Sequence, residues 1–387
     1  MLTLISISLL IWIYLLGFHG GFWRADQKLS PMPKSMNAPP NWPDIVVIIP
    51  ARDESETIQE VIKSHLMSDY PGRYEIILMD DHSTDNTAIL AQETASQHAH
   101  LASLCVHTPP ILPAGWTGKL WAQHHGILRA KKFAPKYFLL TDADIVHAPD
   151  TLRALVTIAQ HENLKMVSLM ARLDMRGPWG QMLIPAFIYF FMKLYPFTKI
   201  NKPGNRLAGA AGGCMLVDAE RLIETGGIEK IRSALIDDCA LADQIKNTSP
   251  RSPIFLGLAD KEVTSLRDNR HLSSIWDMVA RTAYTQLDYS IIKLMTTLIG
   301  MVSVYLMAPL AVLTLHWHGS IMAAILGLIT WGLMAYSFWP TLKTYNLSPL
   351  LTVTLPICGL FYSMMTLSSA IYHWQGKGGQ WKGRNYS

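Results

Sequence analysis

Three pairs of acids and one lysine set out the chemistry this sequence could do. Asp142 and Asp144 close the apolar and aromatic run Tyr137-Phe138-Leu139-Leu140. That run reads as a buried strand, and open α/β sheets hold their ligands at the C-terminal ends of strands. Hard divalent cations take oxygen ligands, and one bound by one or two carboxylates completes its shell with substrate phosphates. The pair therefore points to a hard divalent cation on a pyrophosphate-bearing substrate, with the chain turning out of the strand over Ile145 to Pro149. The plain alternative is a solvated turn.

Asp80 and Asp81 end a second strand, Glu75 to Met79, and Ser83, Thr84 and Asp85 follow as an N-cap cluster for a helix from Thr87. Capping accounts for the later residues but not for two adjacent acids before them. Gly115-Trp116-Thr117-Gly118-Lys119 opens the helical stretch Leu120 to Ala130, where backbone donors and an ammonium would suit a phosphate. The spacing is not that of a Walker A loop. Taken alone, the stretch reads first as an ordinary helix-initiating turn. Asp237 and Asp238 precede a helical stretch, Cys239 to Ile245, where they complement the helix dipole or supply a general base near an acceptor hydroxyl. Gly209, Gly212 and Gly213 lead into a short strand, Cys214 to Val217, and would let a substrate approach the backbone closely.

Strands alternating with helical stretches must position these groups, and that alternation begins at Asp44. Ile45-Val46-Val47-Ile48-Ile49 is a continuous β-branched run, so both of its faces should be buried. Pro50, Asp53 and Glu54 end it, with Ser55, Glu56 and Thr57 able to cap the next helix. Further strands are expected over Leu101 to Val106 and Lys165 to Met170.

Composition separates this α/β part from the rest of the chain. Of 387 residues, 50% are hydrophobic and only 16% are charged, and the deficit of charge is local. No Asp, Glu, Lys or Arg occurs before Arg24, between Lys293 and Lys343, or between Lys343 and Lys377. Met1 to Phe18 reads as an uncleaved anchor, since it lacks the positive region of a signal peptide. Leu294 to Leu315, Ile321 to Trp339 and Leu350 to Tyr372 are long enough to span, with Pro356 a possible kink. Gly177 to Met192 is apolar but short of the roughly 20 residues a crossing needs, so an interfacial or a core helix is expected there. The expected organisation is thus an anchor over residues 1–23, a proline-rich linker over 24–43, an α/β domain over 44–290, membrane helices over 291–373 and a basic aromatic tail over 374–387.

Arg24, Lys28 and Lys34 after the anchor favour a cytoplasmic domain under the positive-inside tendency. Four crossings would then leave the basic tail outside, against that same tendency, and the count of true spans stays open. A net charge of +4 without a dense Lys/Arg run argues against nucleic acid. Cys105, Cys214, Cys239 and Cys358 lie far apart with no zinc-like spacing and read as reduced thiols.

With these residues in place, 44–287 resembles glycosyltransferase family 2, the inverting enzymes with the GT-A nucleotide-sugar fold. Val46 to Glu54 is similar to the family's opening strand and Pro-x-x-Asn-Glu element, which includes Pro50, Asp53 and Glu54. Asp80-Asp81-x-Ser-x-Asp85 resembles its uridine-contacting motif, and Asp142-Ala-Asp144 its metal-binding Asp-x-Asp. Asp237-Asp238 resembles the family's Glu-Asp pair, which implies Asp238 as catalytic base. Arg281 falls where a Gln-x-x-Arg-Trp element places its arginine. Asp53 and Asp237 depart from the usual asparagine and glutamate, and Met278 and Thr282 replace the Gln and Trp of the last element. The intact element belongs to processive synthases, so its erosion implies one sugar transferred once.

Gly115-Trp-Thr-Gly-Lys119, the Gly-Gly-Cys214 entry, Arg281-Thr-Ala-Tyr-Thr-Gln-Leu287 and Trp381-Lys-Gly-Arg384-x-Tyr386 are similar to the bacterial hopene-associated glycosyltransferases, relatives of ceramide glucosyltransferase. The resemblance implies α/β architecture with transmembrane helices, a UDP-sugar donor, a lipid hydroxyl acceptor such as a hopanoid, and residence in the bacterial inner membrane. It also implies nucleoside contacts from Asp53 or Glu54 with Asp81, and diphosphate or acceptor contacts from Lys119 and Arg281. Two other classes compete with this reading. An aspartate-nucleophile phosphohydrolase would carry its Asp-x-Asp on the first strand, whereas two strand-plus-acid units come first here. The other class is a membrane transporter or scaffold whose soluble domain only binds a nucleotide; charges inside spans would mark a transport path, and the three C-terminal spans hold no Asp, Glu, Lys or Arg.

Overall fold

The computed structural model describes residues 1–29, 39, 41–98, 102–378, 380–381 and 384–385. Half of the expected linker, with Pro31, Pro33, Lys34 and Pro40, lies outside the described residues, as do Leu101 and, in the tail, Lys382, Gly383 and Tyr386. The chain divides into two compact units. One comprises Gln27–Leu173 and Lys199–Arg267, the other Met1–Asp26, Asp174–Thr198 and Asp268–Ser387.

Among the described residues, the first unit is built on nine strands: β1 (Ile45–Ala51), β2 (Tyr74–Asp80), β3 (Ser103–His107), β4 (Tyr137–Thr141), β5 (Ile145–His147), β6 (Met166–Met170), β7 (Cys214–Asp218), β8 (Ile254–Leu258) and β9 (Val263–Ser265). Seven of them form one sheet in the order β3-β2-β1-β4-β7-β6-β8, in which only β7 runs antiparallel to its neighbours. Such a mostly parallel sheet is covered on both faces, and every residue of β1 is buried, as its β-branched run requires.

Ile45, Val47 and Ile49 point into one core with Ile58, Val61 and Ile62 of the helix Ile58–Leu66 and Leu152, Leu155 and Val156 of the helix Thr151–His161. Each such side chain, fully withdrawn from water, contributes about 1.5–3 kcal/mol. On the other face Ile48 meets the helix Gly118–Ala130 so closely that a Cβ on Gly126 would stand 2.6 Å from its Cγ2. Only glycine fits there, and the close approach seats the helix that carries Lys119.

The segment after Asp144 differs from the expected turn-out. Ile145–His147 is a strand, paired antiparallel with β9 in a separate two-stranded sheet. Neither strand has more than three residues, too few for periodicity to show.

The second unit is helical. Among the described residues, four segments are long and apolar enough to cross a membrane: Gly177–Ile200, Ile291–Leu313, Ile321–Thr344 and Pro349–Trp374. Leu2–Phe18 is a shorter apolar helix. Gly177 to Met192, expected to fall short of a span, continues as helix to Leu194 and is joined by a further turn, Phe197–Ile200. Pro356 does not kink a helix. It sits at the start of Leu355–Trp374, where a missing amide costs nothing, directly after the 3-10 turn Pro349–Thr354. The helix from Ile291 widens into a π turn over Val302–Leu306, and Trp12 Nε1 donates to the Val304 carbonyl at 2.8 Å. Tyr189 bonds Ser337 at 2.7 Å, and Tyr362 donates to the Leu183 carbonyl at 2.9 Å.

Candidate active site

Because β1, β2 and β4 are parallel neighbours, their C-terminal ends lie on one edge of the sheet, with Ala51 opposite Asp80. β7 runs the other way, so Cys214 at its start pairs with Thr141 at the end of β4. Gly212 and Gly213 thereby arrive at the same edge as the acidic ends of the parallel strands.

At one end of the edge the loops after β1 and β2 interlock. Asp53 takes a left-handed backbone, φ 50°, and its Oδ1 accepts from the Thr84 amide at 2.7 Å. The Glu54 amide donates to Thr87 Oγ1 at 2.8 Å, and the Ser55 amide to Asp85 Oδ2 at 3.0 Å. Asp85 also accepts from the Thr87 amide at 3.0 Å. Partial burial pushes the Asp85 carboxyl up, but the bonds from Thr87 and Ser55 outweigh it and hold the group at about 2. The expected capping is thus only partly what is found, since Asp85 ties two loops together. Thr57 likewise caps no helix amide and instead donates its hydroxyl to the Ala143 carbonyl at 2.9 Å. Asp80 accepts from the hydroxyl and the amide of Ser83, and the Asp81 amide donates to the Ala51 carbonyl at 2.8 Å. Pro50 is buried within β1.

At the centre, the Ile145 amide donates to the Asp142 carbonyl at 3.2 Å, closing a tight turn through Asp142-Ala143-Asp144. Lys119 Nζ lies 2.9 Å from Asp142 Oδ1 and 3.1 Å from Asp237 Oδ2. Burial works against its charge, yet the two carboxylates hold the ammonium above the ordinary lysine value. Asp144 Oδ2 lies 3.3 Å from Arg267 Nε. Burial pushes the Asp144 carboxyl up, Arg267 pulls it down and Asp142 pushes it up again. Arg267 was not legible in the sequence. The pairing of β5 with β9, capped by the Leu266 amide on the Asp144 carbonyl at 2.8 Å, delivers it.

Asp237 and Asp238 are the first residues of the helix Asp237–Asn247. Asp238 Oδ1 accepts from the Cys239 amide at 2.7 Å and Oδ2 from the Gly212 amide at 2.9 Å. A Cβ on Gly212 would stand 3.2 Å from Lys119 Nζ and 3.5 Å from Asp238 Oδ2, so the loop meets both groups through bare backbone. One on Gly213 would press on Ile145 at 3.1 Å. Desolvation, with Asp237 alongside, pushes the Asp238 carboxyl up to about 6, although Lys119 and the two amides oppose the shift. A carboxyl in that range is suited to take a proton near neutrality.

A divalent cation fits the donor set. Asp142 and Asp144 offer hard carboxylate oxygens, and each already faces a basic side chain, so positive charge is what this turn accepts. No third His, Cys, Asp or Glu joins them in a metal-binding group among the described residues. The remaining ligands would come from a substrate's oxygens. Arg281, the last of the expected site residues, belongs to the helical unit, at the C-terminal end of the helix Leu272–Ala280.

Residues 46–226 match the family model described as Glycosyl transferase family 2. The "Probable glycosyltransferase YdaM" of Bacillus subtilis (strain 168) is 32% identical over 125 residues, which are 30% of this chain and 29% of that protein. Less than a third of that relative's length is therefore matched. Among solved structures, the mannosyltransferase PcManGT from Pyrobaculum calidifontis, in complex with GDP-Man and Mn2+, shares the fold at a TM-score of 0.53 and 18% identity, with 92% of this chain and 99% of that one covered. Glucosyl-3-phosphoglycerate synthase from Mycobacterium tuberculosis, in complex with Mg2+ and UDP, is 20% identical at a TM-score of 0.42, covering 64% of this chain and 79% of that one.

Proposed function

We propose that this chain, whose residues 46–226 match the Glycosyl transferase family 2 model, is a membrane-bound inverting glycosyltransferase that moves one sugar from a nucleotide-sugar to a lipid hydroxyl. The observation that carries this reading is the ammonium of Lys119, shared at 2.9 and 3.1 Å between the Asp-x-Asp turn and the Asp237-Asp238 pair. One cation thus links the place suited to a diphosphate with the place suited to a general base.

In this mechanism the interlocked loops at Asp53, Glu54 and Asp80-Asp81 receive the nucleoside. Bound Mg2+ or Mn2+, held by Asp142 and Asp144, would supply Lewis-acid neutralisation of the departing diphosphate, a contribution of several kcal/mol. Lys119 adds a fixed positive charge beside that leaving group. Asp238 accepts the acceptor's proton as its oxygen attacks the anomeric carbon on the face opposite the nucleotide, which inverts that carbon. The two amides on Asp238 aim its carboxylate.

The lipid acceptor is supported by the four helices long and apolar enough to cross a membrane. A tethered domain meets a lipid at raised effective concentration. The resemblance to hopene-associated enzymes makes a hopanoid the first acceptor to test and a UDP-sugar the first donor. GDP-mannose belongs in the same panel, because the mannosyltransferase of similar fold was solved with it. The test is transfer from labelled nucleotide-sugars into a hopanoid-containing lipid extract by the purified full chain, with Mn2+ or EDTA, beside Asp238→Asn. Metal-dependent labelled lipid that disappears in the variant supports the reading. Nucleotide binding without transfer from any donor overturns it.

A further inference from the structure

Gly212, whose amide holds Asp238, sits between two anchors that the mechanism above does not use. On one side the buried Ser168 hydroxyl accepts from the Ala211 amide at 2.9 Å and donates to the Ala211 carbonyl at 3.1 Å, fixing both backbone groups of one residue. On the other side the buried Thr141 hydroxyl donates to the Gly213 carbonyl at 2.7 Å and lies 3.0 Å from His147 Nε2.

A hydroxyl has one proton to give, and a carbonyl can only accept. The Thr141 proton therefore goes to Gly213, and His147 Nε2 must carry a hydrogen and donate it to Thr141. The other ring nitrogen, Nδ1, is then bare, and it meets no hydrogen-bond partner among the described residues. His65 packs on the same ring at a centroid distance of 4.6 Å. Burial pushes both imidazoles down, His65 to about 4, so the donor direction along this chain does not reverse near neutral pH.

We propose that Ser168, Thr141 and His147 are positioning residues for the Asp238 carboxylate: they clamp the loop Ala211–Gly212–Gly213 from both ends so that the Gly212 amide points at Asp238 Oδ2. This rests on Asp238 being the general base. Loosening either anchor weakens a hydrogen bond to the charged form of Asp238, which raises its pKa. Asp237 on the same helix and Lys119 on the helix Gly118–Ala130 also face this carboxylate, and both stay in place in the variants below.

The experiment compares Ser168→Ala, Thr141→Val and Thr141→Ser in the full chain. Two readouts are used: the pH profile of transfer, and the pH titration of the Asp238 carboxyl band by infrared difference spectroscopy, assigned with Asp238→Asn. Ser168→Ala and Thr141→Val should move both midpoints up by about one pH unit and lower kcat about tenfold, with the donor KM unchanged. Thr141→Ser, which keeps the hydroxyl, should behave as the parent. Ser168→Ala is remote in sequence from Asp142 and carries the test if Thr141→Val fails to fold. Unshifted titrations in both disrupting variants overturn the clamp. A parent that transfers no sugar overturns the functional reading instead, while the infrared titration still decides the clamp.

Discussion

Lys119 Nζ stands 2.9 Å from Asp142 Oδ1, and the same ammonium reaches Asp237 on a different helix. Four carboxylates, Asp142, Asp144, Asp237 and Asp238, are thereby gathered at one edge of the sheet around a lysine and an arginine.

Lys119→Met should separate metal binding from transfer. Without the ammonium, Asp142 loses a competing cation, so Mn2+ should bind the donor-free protein at least as tightly, read by electron paramagnetic resonance. Transfer should fall about a hundredfold, the scale of losing a charge aimed at a developing anion. A variant with weaker Mn2+ binding and unchanged transfer would refute this assignment.

The pH dependence follows from Asp238. Its carboxyl is raised to about 6, and a general base must be ionised, so transfer should be full above that value and lost as pH falls through it. Asp238→Asn should reduce kcat by about 10²–10⁴ at every pH while leaving donor affinity near that of the parent. An acid limb near the ordinary carboxylate value would point to a different base.

Asp144→Asn should cost little stability, because its partner Arg267 is 43% exposed and can turn to water. Donor binding that responds to EDTA in the parent should be lost in this variant and in Asp142→Asn. Calorimetry with and without Mn2+ checks it, and retention of metal-dependent donor binding in both variants would exclude the pair as ligands.

Asp53 offers a test of the nucleoside loop. Its φ of 50° suits Asn as well as Asp, and Asn keeps an Oδ1 to accept from the Thr84 amide. Asp53→Asn should melt within a degree or two of the parent. Asp53→Ala forfeits that bond and carries left-handed strain, a combined loss of about 2 kcal/mol. Equal melting of the alanine and asparagine variants in a thermal-shift assay would contradict this.

The sequence by itself determined the α/β character that begins at Asp44, the buried strands ending in Asp80 and before Asp142, and the uncharged apolar stretches after Lys293. These features are local: β-branched runs, strand-ending acids and uncharged stretches carry their own signal whatever the rest of the chain does. Tertiary structure alone decided that β7 runs antiparallel beside β4, which sets Gly212 against Asp238. It also decided that the three-residue strands β5 and β9 pair and so carry Arg267 to Asp144, and that Ser168 and Thr141 face the same glycine loop. Those partners are distant in sequence and have no shared periodicity. Which slot in the sheet each strand fills, and hence which side chains meet at its edge, depends on the packing of the whole core.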